Sequence, residues 1–194
     1  MKIKGKKSSF DLIVLGGSSG GIEALLKIIP NLNKEFSIPI VIVMHQLRTS
    51  KSSLADVLQA HTKLRVKEPE DKEKILHKYI YVAPPNYHLM IEEDKTFSFS
   101  NSELVNYSRP SIDVLFETAA DAFGERLIGV LITGSNADGA HGIKQIKEKG
   151  GLTIVEDPST ADSPVMPKAA INMSKVDYIL SVNEIFKKLN SLYE

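Results

Sequence analysis

Asp11-Leu-Ile-Val-Leu15-Gly16-Gly17-Ser18-Ser19-Gly20-Gly21-Ile22-Glu23-Ala24 decides how the chain is read. Asp11–Leu15 is a short run, apolar and branched at every position after Asp11, the pattern of a strand buried on both faces. The glycines that follow permit a tight turn, and a helical pattern runs from there to about Ile29. Strand, glycine-rich turn and helix form the opening of a βαβ unit.

The same rhythm repeats along the chain. Pro39–Met44 reads as a second buried strand, with a helix over about Ser53–Ala60 and a short strand over Leu64–Lys67. Tyr79–Val82, His88–Glu92 and Thr96–Ser100 are short and separated by turns, and read as antiparallel strands or a hairpin at the sheet edge. Ser111–Phe123 is an amphipathic helix with Pro110 as a first-turn residue. Leu127–Ile132 is a buried strand, Ala137–Lys149 a helix ended by Gly150-Gly151. Leu152–Val155, Pro167–Met173, Tyr178–Leu180 and Asn183–Leu192 supply strand, helix, strand and helix. The expected fold is α/β: a three-layer α/β/α, doubly wound, mostly parallel sheet with a short antiparallel edge segment.

Composition narrows the function. The 194 residues suit one domain, with residues 1–10 as a basic tail and 11–194 as the folded domain. Lys plus Arg and Asp plus Glu both number 24, which argues against nucleic acid as a partner. The chain has no cysteine, so thiol nucleophiles and thiolate metal sites are excluded. No apolar run approaches the ~20 residues of a membrane helix, nor does the N-terminus read as a signal peptide. No metal-ligand spacing such as H-E-x-x-H occurs, and neither cofactor nor metal is expected. The reading is a cytoplasmic protein with no membrane insertion.

In doubly wound sheets ligands bind beyond the carboxyl ends of the strands. Three such ends carry Ser18, His45 and Asp138: a nucleophile, a general base, and an acid to fix the base's tautomer. Gly16-Gly17-Ser18-Ser19-Gly20 has the spelling of a nucleophile elbow. A phosphate loop fails, because no register gives G-x-G-x-x-G and no Lys-Ser/Thr follows. Each residue also has a plain structural reading: Ser18 as a helix cap, His45 as a structural histidine, Asp138 as an N-terminal cap. Among the five histidines, His61 and His77 read as solvated, and His88 as a residue that could touch substrate. His141 competes with His45 for the role of base. The order Ser, His, Asp disfavours an ordinary lipase or esterase, whose order is Ser, acid, His.

These segments resemble the CheB-type methylesterases. Leu15–Ala24 is similar to that family's G-A-S-T-G-G-x-E-A, and Val43-Met-His45 stands where its catalytic histidine lies. Arg109-Pro-Ser-Ile-Asp-Val-Leu-Phe116 resembles R-P-S-x-D-x-L-F. Leu131–Ala140 resembles L-T-G-M-G-x-D-G-A, with Asp138 at the catalytic aspartate, and Met166–Ile171 resembles M-P-R-x-A. The likeness runs from about Asp11 to the C-terminus. Two departures bear on substrate preference: Ser135 replaces a methionine, and Gln46-Leu47-Arg48 replaces a stretch that is usually M/L-P-P. The family's N-terminal receiver domain is not expected, since about ten residues precede the first strand.

The resemblance implies a serine hydrolase that demethylates glutamyl methyl esters on chemotaxis receptors, with deamidation of receptor glutamines open to the same triad. Backbone N–H groups near Ser19 and Ser135 would hold the oxyanion. Arg109 would contact carboxylates of substrate or loop, or form a structural ion pair. The alternatives are a catalytically weak module binding receptors or a receptor methyltransferase, and a hydrolase of small esters.

Overall fold

The computed structural model describes residues 9–45 and 53–193. Seven strands form one sheet: β1 (Leu12–Gly17), β2 (Ile40–Met44), β3 (Arg65–Lys67), β4 (Tyr79–Val82), β7 (Leu127–Leu131), β8 (Leu152–Glu156) and β9 (Tyr178–Leu180). Their order is β3-β4-β2-β1-β7-β8-β9, and every pairing is parallel. The chain winds outward from β1 in one direction through β2, then returns to the other side of β1 at β7. The switch point of the sheet therefore lies between β1 and β7, where such sheets place their ligands.

Two cores flank the sheet because alternate residues of a strand face opposite sides. Ile13 and Leu15 join Leu25, Ile28, Leu58, Ile185 and Leu189, which come from α1 (Gly21–Ile28), α2 (Leu54–Gln59) and α6 (Val182–Tyr193). Leu12 and Val14 join Leu115, Phe116, Ile143 and Ala170, from α3 (Ile112–Phe123), α4 (Ala140–Glu148) and α5 (Val165–Met173). Sequence periodicity finds every one of these helices, with ends displaced by a few residues. Ser111 caps α3, its hydroxyl accepting from Val114 N. Pro110 thus precedes the cap rather than occupying the first turn, and the Arg109–Pro110 bond is cis.

One segment differs from its reading. Tyr79–Val82 is not antiparallel: it is an interior parallel strand between β3 and β2. Its tyrosines look like polar insertions, yet Tyr81 is fully buried against Phe97, with ring centroids 4.7 Å apart. Tyr81 Oη accepts from Leu76 N, and burial pushes its hydroxyl up to about 12. The antiparallel hairpin is confined to β5 (His88–Ile91) and β6 (Phe97–Ser100), which form a separate sheet packed on α3. Between β6 and α3 the chain crosses the carboxyl edge as a strap, residues 101–110.

Candidate active site

Ser18 follows β1 directly, and the sequence makes that turn unusually tight. A Cβ on Gly17 would lie 2.6 Å from Ile132 Cγ1, so only glycine lets the backbone approach there. Gly20 caps α1 with φ 78°, a left-handed conformation natural to glycine. The helix begins at Gly21, one or two residues later than the sequence suggests. Ser18 itself is half-buried, its N–H donating to Thr133 O at 2.9 Å. Among the described residues its hydroxyl makes no hydrogen bond.

His45 lies beside it because β1 and β2 pair in register, Gly17 opposite Met44. His45 N donates to Gly17 O at 3.1 Å, so the two side chains leave adjacent strand ends. His45 Nε2 is 2.8 Å from Asp138 Oδ2. Asp138 follows β7 on the other side of β1, and is completely buried. The three residues chosen from the sequence thus occupy neighbouring ends of β2, β1 and β7.

Asp138 collects more than the histidine. Its Oδ2 also accepts from Ile112 N at 2.7 Å, and its Oδ1 from Ser111 Oγ (2.8 Å), Asn106 Nδ2 (3.1 Å) and Asp113 N (3.2 Å). Burial would raise this carboxyl, but the donors from His45, Ile112, Ser111 and Asn106 outweigh it and hold the acid below its ordinary range. It remains ionised, and an ionised carboxylate only accepts. His45 Nε2 therefore carries the hydrogen, leaving the lone pair on Nδ1. Ser108 Oγ is 3.5 Å from that nitrogen, at the limit of a hydrogen bond.

The remaining residues singled out from the sequence divide. Ser19 and Ser135 meet, their hydroxyls 3.1 Å apart, bridging the loops after β1 and β7. Neither backbone N–H has a partner among the described residues. Arg109 Nη1 donates to the carbonyls of Asn101 and Ser102 at 2.8 and 2.7 Å, pinning the strap to itself. It has no carboxylate partner among the described residues. His141 faces away, on the exposed side of α4, paired with Glu117 at 2.7 Å. His88 is fully buried: Nδ1 accepts from Ser111 N, and Nε2 donates to Glu103 O. It supports the strap instead of meeting a substrate. His61 and His77 are exposed. Gln46, Leu47 and Arg48 lie outside the described residues, as does most of the basic tail.

Four contributors were missed. Asn106, on the strap, and Ser111, the cap of α3, bind Asp138 along a path that no local pattern reveals. Asp113, buried on α3, accepts from Asn106 Nδ2 at 2.8 Å and Gly142 N at 2.7 Å. Glu156, at the carboxyl end of β8, accepts from Thr133 N at 2.7 Å. A charged residue straight after the apolar pair Ile154-Val155 was the available signal for Glu156. No cluster of His, Asp and Glu among the described residues could hold a metal ion, and no helix among them is long and apolar enough to cross a membrane.

Comparison with known proteins bears on the fold and the family. The family model for CheB methylesterase matches residues 13–189. The crystal structure of the Thermotoga maritima CheB methylesterase catalytic domain superposes with a TM-score of 0.89 at 36% identity, covering 94% of this chain and 98% of that one. A Leptospira interrogans protein, provisionally named protein-glutamate methylesterase/protein-glutamine glutaminase, is 52% identical over 91% of this chain and 92% of its own length. The Carboxydothermus hydrogenoformans protein named protein-glutamate methylesterase/protein-glutamine glutaminase 1 is 40% identical, and here the match takes in 94% of this chain but only 55% of that protein. With the family's match covering both the sheet and all three loop ends, the chain belongs to the CheB methylesterase family.

Proposed function

We propose that the chain hydrolyses γ-glutamyl methyl esters on the cytoplasmic helices of chemotaxis receptors, with Ser18, His45 and Asp138 as its triad. The observation that carries the reading is the 2.8 Å contact of His45 with a buried, ionised Asp138, one strand end from Ser18. A buried carboxylate against one ring nitrogen leaves the other as a base, the arrangement that activates a weak hydroxyl nucleophile.

Ser18 Oγ attacks the ester carbonyl while its proton passes to His45 Nδ1. Asp138 holds the ring in that tautomer and stabilises the imidazolium. The tetrahedral oxyanion falls to the unpartnered N–H groups of Ser19 and Ser135. Collapse expels methanol, which takes the proton back from His45. Water, deprotonated by the same nitrogen, then attacks the acyl-serine and releases glutamate. A glutamine side chain would follow the same course with ammonia as leaving group. Ser18 and His45 need not be bonded beforehand, since catalytic hydrogen bonds often tighten only with substrate in place. A substrate on cytoplasmic receptor helices puts the reaction in the cytoplasm.

The test is methanol release from methylated receptor by wild type and Ser18→Ala. A loss on the order of 10⁴-fold is expected, with the circular dichroism melt unchanged. Turnover by a folded Ser18→Ala protein at the wild-type rate sinks the assignment.

A further inference from the structure

The strap turns sharply beside the triad. Val105 and Ser108 exchange backbone hydrogen bonds of 3.2 and 2.9 Å, closing a two-residue turn over Asn106 and Tyr107. Both turn residues have positive φ, 50° and 61°, as a tight hairpin turn of this kind requires. Asn tolerates that backbone well; a bulky tyrosine does not.

The inner side of the turn is fixed to the reacting groups. Asn106 Nδ2 bridges Asp138 Oδ1 and Asp113 Oδ2, and Ser108 Oγ approaches His45 Nδ1. The outer side is bare. Tyr107 is 98% exposed, with no ring partner among the described residues, and Leu104 nearby is 52% exposed. Tyr107 lies on the rim of an open hollow of about 620 Å³ shared with Glu103, Leu104, Asn106 and Arg109. Isolated exposed aromatics are common on protein surfaces and need no explanation. This one stands in a disfavoured backbone conformation, on a turn held from within by Asp138 through Asn106, with Ser108 beside His45.

We infer that Tyr107 is a specificity-determining contact, its ring packing against the receptor helix one turn away from the modified glutamate. The inference rests on the proposed function above, which supplies a helical polypeptide as substrate. Only one glutamyl side chain reacts at Ser18, but its neighbours at i±3 and i±4 share its face of the helix. A ring on the rim meets those neighbours. Tyrosine suits the task, since it offers a large contact area at small conformational-entropy loss and recurs at interface hot spots. The hollow beside it offers Leu104 to apolar side chains, with Glu103 and Arg109 for charges of either sign.

The experiment compares two substrates bearing the same reacting group: a methylated cytoplasmic fragment of receptor, and N-acetyl-glutamate γ-methyl ester amide. The variant is Tyr107→Asn, which keeps a residue at home in left-handed backbone. The ratio of kcat/KM for receptor over small ester should fall about tenfold, carried by a higher KM for receptor. Tyr107→Phe should restore the wild-type ratio, because the ring and not the hydroxyl makes the contact. An unchanged ratio in Tyr107→Asn overturns the inference, whether both activities persist or both fall together. If wild type turns over the small ester and not the receptor, the proposed function itself fails, and the inference with it.

Discussion

Asp138 caps a helix that begins 26 residues before it: its Oδ2 accepts the backbone N–H of Ile112 at 2.7 Å, the first residue of α3. The helix's own terminus needs such acceptors, because its first N–H groups have no partner within the helix. The same oxygen holds His45. One carboxylate thus joins the fold of α3 to the chemistry of the site, and its removal should show in both.

Asp138→Ala should abolish methanol release and also destabilise the protein. It strips acceptors from Ile112 N, Asp113 N, Ser111 Oγ and Asn106 Nδ2 in a buried place. Unsatisfied buried donors cost about 1–3 kcal/mol each, and such costs within a cluster do not simply add. A fall in Tm of several degrees is expected. His45→Ala removes only one of the five donors and should melt near wild type while being equally inactive. Matching melts for the two variants would disprove the double role.

The two candidate bases separate cleanly. His45→Ala should lose activity as severely as Ser18→Ala, and the double variant should be little worse than either, because triad members act as a unit. His141 sits in an exposed contact with Glu117, Nδ1 2.7 Å from Oε1, a surface pairing worth about 0–1 kcal/mol. His141→Ala should keep activity within about twofold and shift stability by no more than that. Single-turnover measurements on the three variants check this; a dead His141→Ala would move the base to α4.

What the sequence revealed and what it hid follow one physical line. Buried strands are continuous apolar runs, so β1, β2 and β7 were legible, and the residues after them fell on one edge. Pairing direction is not written in a four-residue strand: Tyr79–Val82 reads as an edge segment until Tyr81 is seen sealed under the β5–β6 hairpin. Asp138 looks like a cap for the helix just after it. That helix is capped by Gly139 with no side-chain bond, and the carboxylate serves α3 instead. Asn106, Asp113 and Glu156 act through contacts 32, 29 and 23 residues distant in sequence, which no local pattern carries.

Glu156 should matter to catalysis without touching substrate. It is 2% exposed and accepts from Thr133 N; Thr133 O in turn accepts from Ser18 N, and Thr133 Oγ1 donates to Ser19 O. The carboxylate therefore positions the strand end that aligns the nucleophile's turn. Glu156→Ala should lower kcat by about 10- to 100-fold with KM little changed, the scale of a displacement near 1 Å. Glu156→Gln keeps an acceptor for Thr133 N and should recover most of the rate. Equal kcat in Glu156→Ala and wild type would show that the turn holds its shape unaided.

Asp113 should make stability depend on pH in the opposite sense from Asp138. Burial, assisted by the neighbouring charge of Asp138 and opposed by Gly142 N–H, pushes Asp113 up to about 6 from its ordinary 3.8. Between those values the folded protein holds a proton that the unfolded chain has released. Stability from this group is complete below about pH 4 and is lost as pH rises through 6. For a shift of this size the loss is on the order of 2–3 kcal/mol. Asp138 has a lowered value, so its contribution disappears only as pH falls below the ordinary carboxylate range. Asp113→Asn cannot ionise, although its amide sets a donor against Asn106 Nδ2 at any pH. That fixed cost cancels when the variant is compared with wild type at two pH values. Urea unfolding should show the difference, variant minus wild type, moving in favour of the variant by about 2 kcal/mol between pH 4 and pH 7. A difference independent of pH would mean that Asp113 is already ionised in the folded protein at pH 4, with Asn106 and Gly142 sufficient to offset both its burial and the charge of Asp138.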